Sequence, residues 1–181
     1  MEKNLTYIAL FAALIAVLGL IPGVTLGTGI PINAQSLGIM LCGTILGGKR
    51  GAQAVLLFLA LVAMGLPLLY GGRGGLGVFT TPWAGFLFGF PIAAYVTGRI
   101  VEQWDGTSFL LGAVLAAVAG AISLYLIALV YFIFVTQTPA FEAMGIIVAP
   151  FIPGDLLKAV VAGFITHAIY KARPDALLSR A

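Results

Sequence analysis

The chain has 181 residues, of which 61% are hydrophobic and only 15 are charged, nine Lys or Arg and six Asp or Glu. That charged share of 8%, against roughly a quarter in an ordinary soluble domain, and a mean hydropathy of +1.14 exclude a water-soluble globular protein. The net charge of +3 does not make a nucleic-acid surface, because only Lys49 and Arg50 are adjacent, and the single cysteine excludes an internal disulfide or a multi-cysteine metal site.

Six apolar runs approach the length of roughly 20 residues that a helix needs to cross about 30 Å of hydrocarbon. The first extends from Leu5 to Ile21. Lys3 precedes it, as in a signal peptide, but the run exceeds an h-region and no small-x-small cleavage site follows, so it is expected to be retained. It carries two small-x-x-x-small pairs, Ala9 with Ala13 and Ala12 with Ala16, which suit close approach of another helix. The second run, Ala34 to Leu46, holds Cys42 among apolar neighbours, where a small buried thiol is expected. Ala52 to Leu66, Pro82 to Ile100, Phe109 to Phe134 and Pro153 to Tyr170 complete the set, the fifth with Gly112, Ala116 and Gly120 at the same close-packing spacing. The second and third are short and need flanking residues or a locally thinned bilayer. Continuously apolar runs disfavour a transmembrane β-barrel, whose strands alternate. Breaks at Pro22-Gly23, Gly47-Gly48, Pro67, Gly106 and Pro139 separate the runs, and no linker divides the chain. The expected fold is an all-α membrane protein, with residues 1–181 forming one domain of six transmembrane helices in a single bundle.

Six spans sort the positive charges. Lys3, Lys49, Arg50, Arg99, Lys171, Arg173 and Arg180 fall on one side, Arg73 falls on the other, and Lys158 lies within the sixth span. By the positive-inside rule both termini are cytoplasmic. The opposite segments, Pro22 to Asn33, Pro67 to Thr81 and Val135 to Ile152, are long, rich in Gly, Pro and Thr, and carry just two charges, Arg73 and Glu142. Such segments make poor solvated linkers, and they are read as lids over a cavity.

Three groups of residues on that outer side carry chemistry. Gly71-Gly72-Arg73-Gly74-Gly75-Leu76-Gly77 surrounds one arginine with five glycines. It lacks the Walker spacing of a nucleotide site, which leaves a flexible turn or a tight turn that offers Arg73 to an anion such as a carboxylate. Asp155 and Lys158, three apart near the start of the sixth run, share a helix face and should point into the bundle or a wet cavity. They form either a mutually neutralised pair, with Lys158 snorkelling, or a donor and acceptor for a ligand. Asn33 and Gln35 stand at the same level, as helix-end residues or as amide partners for a urea or carbonyl group. Trp83, Phe86, Phe79 and Tyr70 are either walls of an apolar pocket or an interfacial aromatic belt. His167, at the inner end, reads as interfacial or packed rather than as a proton relay.

The chain has no ATP-binding motif, no second ionisable residue deep in another span and no inverted repeat of broken helices, so solute capture powered by a partner fits better than a self-powered pump. A lone histidine, a lone cysteine and scattered carboxylates argue against an intramembrane enzyme. A structural or assembly membrane protein with no ligand is the competing reading.

Together, Ile30-Pro31-Ile32-Asn33-Ala34-Gln35, Gly65-Leu66-Pro67 followed by the glycine-flanked Arg73, and Pro150-Phe151-Ile152-Pro153-Gly154-Asp155-Leu156-Leu157-Lys158, in this order on six spans, resemble the BioY family, the biotin-specific S components of energy-coupling factor transporters. The resemblance covers about Leu5 to Tyr170. It implies high-affinity capture of biotin from outside, with Asp155, Lys158 and Arg73 inheriting the ligand contacts and no cofactor required. It further implies that an Ala-x-x-x-Ala strip of the first helix, Ala9 and Ala13 or Ala12 and Ala16, docks onto a transmembrane coupling protein carrying two cytoplasmic ATPases, in a prokaryotic cell membrane. The chain departs from the family where members commonly carry Gly-Pro-Ser/Thr-Gly-Gly-Tyr: here Thr81-Pro82-Trp83-Ala84-Gly85-Phe86 lacks the tyrosine hydroxyl, and Leu87 stands where some members carry arginine. Arg73, where other members have an uncharged residue, is then a candidate for the carboxylate contact.

Overall fold

The computed structural model describes residues 2–25 and 31–180. Its helices are α1 (Glu2–Leu18), α2 (Gln35–Leu46), α3 (Gly48–Ala63), α4 (Ala84–Glu102), α5 (Phe109–Thr136), α6 (Ala140–Ile147) and α7 (Ile152–Ala172). Six of them coincide within a few residues with the six apolar runs. The eight-residue α6 lies in a segment read as loop, because a helix that short leaves no clear period in an apolar stretch. A two-residue antiparallel ribbon pairs β1 (Val24–Thr25) with β2 (Pro31–Ile32), Val24 opposite Ile32. Ile30, the first residue of the Ile-Pro-Ile-Asn-Ala-Gln motif, lies outside the described residues.

Lengths and burial explain the packing. Twelve residues of α2 reach only about 18 Å, too little to cross a bilayer alone. The sequence compensates by burying it: every residue from Gly38 to Leu46 is buried, with α1, α3, α4, α5 and α7 packed around it. Cys42 is accordingly enclosed. Among the described residues α4, α5 and α7 are long and apolar enough to cross a membrane. The outer surface is apolar too, with Leu10, Leu56, Phe88, Leu126, Val130 and Phe164 all exposed on helix faces. Such a surface is stable in lipid and not in water, so the chain is a membrane protein.

One end of the bundle is closed by short connections and small residues. Gly47 alone joins α2 to α3, with φ +84°, a left-handed conformation that glycine adopts without strain. A Cβ at Gly98 of α4 would collide with the Gly47 and Gly48 backbone, so the glycine permits the crossing. Glu102 Oε1 accepts the Gly48 N–H at 2.8 Å, satisfying an otherwise orphaned donor of the first turn of α3, while its Oε2 pairs with Arg99 at 2.7 Å. The last residues return to this end as two 3-10 turns, Pro174–Ala176 and Leu178–Arg180. Leu177 is fully enclosed, Ser179 Oγ donates to the Thr44 carbonyl at 2.7 Å, Arg50 Nη1 donates to the Leu178 carbonyl at 3.1 Å, and Arg180 bonds the Trp104 carbonyl. The opposite end is roofed by the ribbon, by the segment between α3 and α4 with its 3-10 turn at Leu76–Thr80, and by α6.

Candidate functional site

Three helices converge on one carboxylate at the roofed end. Helix α7 starts with Pro153 in its first turn, where a missing N–H costs nothing, and Asp155 also stands in that turn, where the helix dipole favours a negative charge. Lys158, one turn later, donates to Asp155 Oδ1 at 2.9 Å. Ser36, in the first turn of α2, donates to the same oxygen at 2.9 Å and accepts from Lys158 Nζ at 2.8 Å. Tyr125, deep in α5, donates its hydroxyl to Asp155 Oδ2 at 2.6 Å. Asp155 is 6% exposed and the Lys158 side chain 16%, so both charges are withdrawn from solvent and are stable because each is paired and hydrogen-bonded.

A cavity of about 430 Å³ opens above this cluster, and eight of the nine residues offered by the sequence as ligand contacts or pocket walls line it: Asn33, Gln35, Tyr70, Arg73, Trp83, Phe86, Asp155 and Lys158. Ser36 lines it as well. Trp83 stacks on Phe132 with ring centroids 5.2 Å apart, and Phe86 packs on Phe151 at 5.5 Å, so these two rings are fixed walls. Phe79 instead packs on Phe88 at 6.1 Å and is not part of the lining.

The glycine-rich segment is a tight turn. Leu69 and Arg73 exchange backbone hydrogen bonds at 3.0 and 3.3 Å, and the chain reverses between them through Gly71 at φ +76° and Gly72 at φ +69°. Arg73 is exposed at the cavity mouth, its Nε donating to the Tyr70 carbonyl at 3.3 Å. Among the described residues it has no carboxylate partner.

The two amides are occupied differently. Gln35 Nε2 donates to the carbonyls of Ile15 at 3.3 Å and Leu68 at 3.1 Å, and its Oε1 accepts from Tyr70 N–H at 3.0 Å. Gln35 therefore ties α1, α2 and the roof together, with both of its donors engaged. Asn33 uses Oδ1 to accept the Gln35 N–H at 2.9 Å, and among the described residues its Nδ2 has no partner. Of the alanines on α1, Ala9 and Ala13 are exposed, whereas Ala12 is buried and Ala16 half-buried. The helix thus turns one strip outward and packs the other. His167 lies near the far end of α7, its Nδ1 buried without a partner among the described residues.

Sequence reasoning missed Ser36 and Tyr125. A signal existed for the second: a phenol near the middle of the most apolar run needs a partner, and the candidates at membrane depth are few. Ser36 stood beside a more conspicuous glutamine. Among the described residues no group of His, Cys, Asp or Glu is arranged to hold a metal ion.

Residues 2–175 match the model of the BioY family. The chain is 50% identical to the biotin transporter BioY of Rhodobacter capsulatus, covering 99% of this chain and 100% of that protein, and 45% identical to the biotin transporter BioY of Rhizobium etli, covering 95% of each. It is also similar to a solved structure, the S-component for biotin from an ECF-type ABC transporter, with a TM-score of 0.85 and 31% identity over 94% of this chain and 92% of that one.

Proposed function

The chain belongs to the BioY family, and from that premise we propose that it captures biotin in the cavity above Asp155, as the S component of an energy-coupling factor transporter. It is a carrier subunit and not an enzyme. The observation that carries the reading is the division of one cavity into three chemistries. Asp155, Ser36 and Lys158 form a polar floor, Trp83 and Phe86 form apolar walls, and Arg73 stands at the mouth. Biotin has a ureido ring, a thiophane ring and a carboxylate in the same sequence. Lys158 is already paired with Asp155, whereas Arg73 has no acid partner among the described residues, which favours Arg73 for the carboxylate and the floor for the ureido group.

The matched residues extend over nearly the whole chain, in support of a single domain, residues 1–181. The charge pattern supports six spans with both termini in the cytoplasm of a prokaryote, the seven inner basic residues facing in and Arg73 facing out. ATP is hydrolysed by two partner subunits, coupled through a transmembrane protein that docks on the exposed Ala9 and Ala13 strip.

Equilibrium dialysis of the detergent-purified protein with labelled biotin tests the core of this reading. Saturable binding of one biotin per chain is expected, and absence of binding overturns it. For the partners, Ala9→Leu with Ala13→Leu should leave biotin binding intact and abolish uptake in cells that contain the coupling protein and ATPases. Undiminished uptake would remove the docking assignment.

A further inference from the structure

We propose that Tyr125 is a positioning residue that, together with Ser36, sets the donor and acceptor pattern the Asp155 cluster shows to its ligand. The inference rests on the biotin reading above and adds to it a determinant of specificity.

The argument is a count of hydrogen-bonding capacity. Asp155 Oδ1 has two lone-pair directions, both taken, by Ser36 and by Lys158. Oδ2 has two, of which Tyr125 takes one. Ser36 Oγ donates its proton to Asp155, accepts from Lys158 and keeps one lone pair. Lys158 Nζ has three N–H groups, two of them engaged. What is left for a ligand is two acceptors, on Asp155 Oδ2 and Ser36 Oγ, and one donor, on Lys158. A ureido group offers the reverse, two N–H donors and one carbonyl acceptor.

Tyr125 is essential to that count yet stands outside the ligand cavity. It lines a separate apolar groove between α5, α6 and α7, beside Leu129, Met144 and Val148, and Asp155 is the residue common to both spaces. The tyrosine therefore reaches the carboxylate from behind. It acts through Asp155, by occupying the lone pair that would otherwise accept a further donor.

The test is the selectivity between biotin and 2-iminobiotin, in which the ring carbonyl is replaced by an imine that is protonated at neutral pH and so donates where biotin accepts. The wild-type cluster should prefer biotin. Tyr125→Phe releases the carboxylate to rotate and turn the freed acceptor toward the cavity, which weakens biotin roughly tenfold and the donor-rich iminobiotin less, so the selectivity ratio narrows. Ser36→Ala exchanges the Ser36 acceptor for the lone pair it frees on Asp155 Oδ1 and releases a second Lys158 donor toward the ligand, so the ratio widens. Opposite shifts in the two variants, with melting temperatures near wild type, establish the role. Equal weakening of both ligands in Tyr125→Phe, with the ratio unchanged, overturns it. Should Tyr125→Phe not accumulate, Ser36→Ala alone decides, an unchanged ratio again overturning the assignment. Wild-type protein that binds no biotin at all overturns the biotin reading instead, a different outcome from any of these.

Discussion

Helices α2 and α7 meet in two polar clusters, one at the closed end, which the proposed topology puts inside, and one at the roofed end, which it puts outside, and the clusters behave oppositely. At the inner end Thr166 Oγ1 lies 2.8 Å from Thr44 Oγ1 and 2.7 Å from the Ala162 carbonyl, and Ser179 closes on the Thr44 carbonyl. All three side chains are buried, neutral and satisfied by protein atoms. At the outer end Ser36, Asp155 and Lys158 are also bonded to one another, but two of them are charged, and all three line a cavity and keep capacity to spare. A polar cluster in an apolar bundle acts as a clasp when its capacity is matched internally. It acts as a ligand site when part of that capacity faces an open space.

The steepest loss belongs to the outer cluster. Asp155→Ala leaves a withdrawn ammonium without its counter-charge and removes the ligand acceptor, and should lower biotin affinity about 100-fold, near 3 kcal/mol, by equilibrium dialysis. Retained affinity would reduce this end to a second clasp. At the inner end Gly98→Ala forces a methyl group against the Gly47 and Gly48 backbone and should cost about 2 kcal/mol of stability, read as a lower melting temperature in detergent. A smaller effect belongs to the cavity mouth. Arg73→Met should lower affinity for biotin roughly tenfold and leave affinity for biotinamide, which lacks the carboxylate charge, unchanged. An equal loss for both ligands would move the carboxylate elsewhere. Smallest is Thr166→Val, which deletes one buried hydroxyl and should cost about 1 kcal/mol, a fall of a few degrees, with biotin affinity within about twofold of wild type. If Thr166→Val weakened biotin as strongly as it weakened the fold, the two ends would not be separable.

Much of the outer site was legible because its residues are out of place in an apolar chain. Asp155 and Lys158 sit three apart inside a hydrophobic run, which by helix geometry and desolvation cost alone directs them inward. Arg73 is flagged by the glycines around it, and the turn they form has the positive φ values only such residues adopt readily. Gln35 shows the limit of this kind of reading. An amide at a helix start is chemically able to bind a ureido group, but its two donors hold Ile15 and Leu68, a fact about three chain segments that no local pattern contains.

The lipid surroundings, the approximate positions of the apolar helices, the charge asymmetry and the acid–base pair can all be read along the chain. Each follows from composition or from spacing along one helix, where transfer free energies and the 3.6-residue period act locally. Packing of the helices, by contrast, brings Tyr125 to Asp155 across 30 positions of chain and Ser36 across 119. It also decides that Ala9 and Ala13 rather than Ala12 face outward, and that residues 174–180 close the inner end. Those contacts depend on how each helix is rotated about its own axis, and that rotation is set by packing among several helices at once.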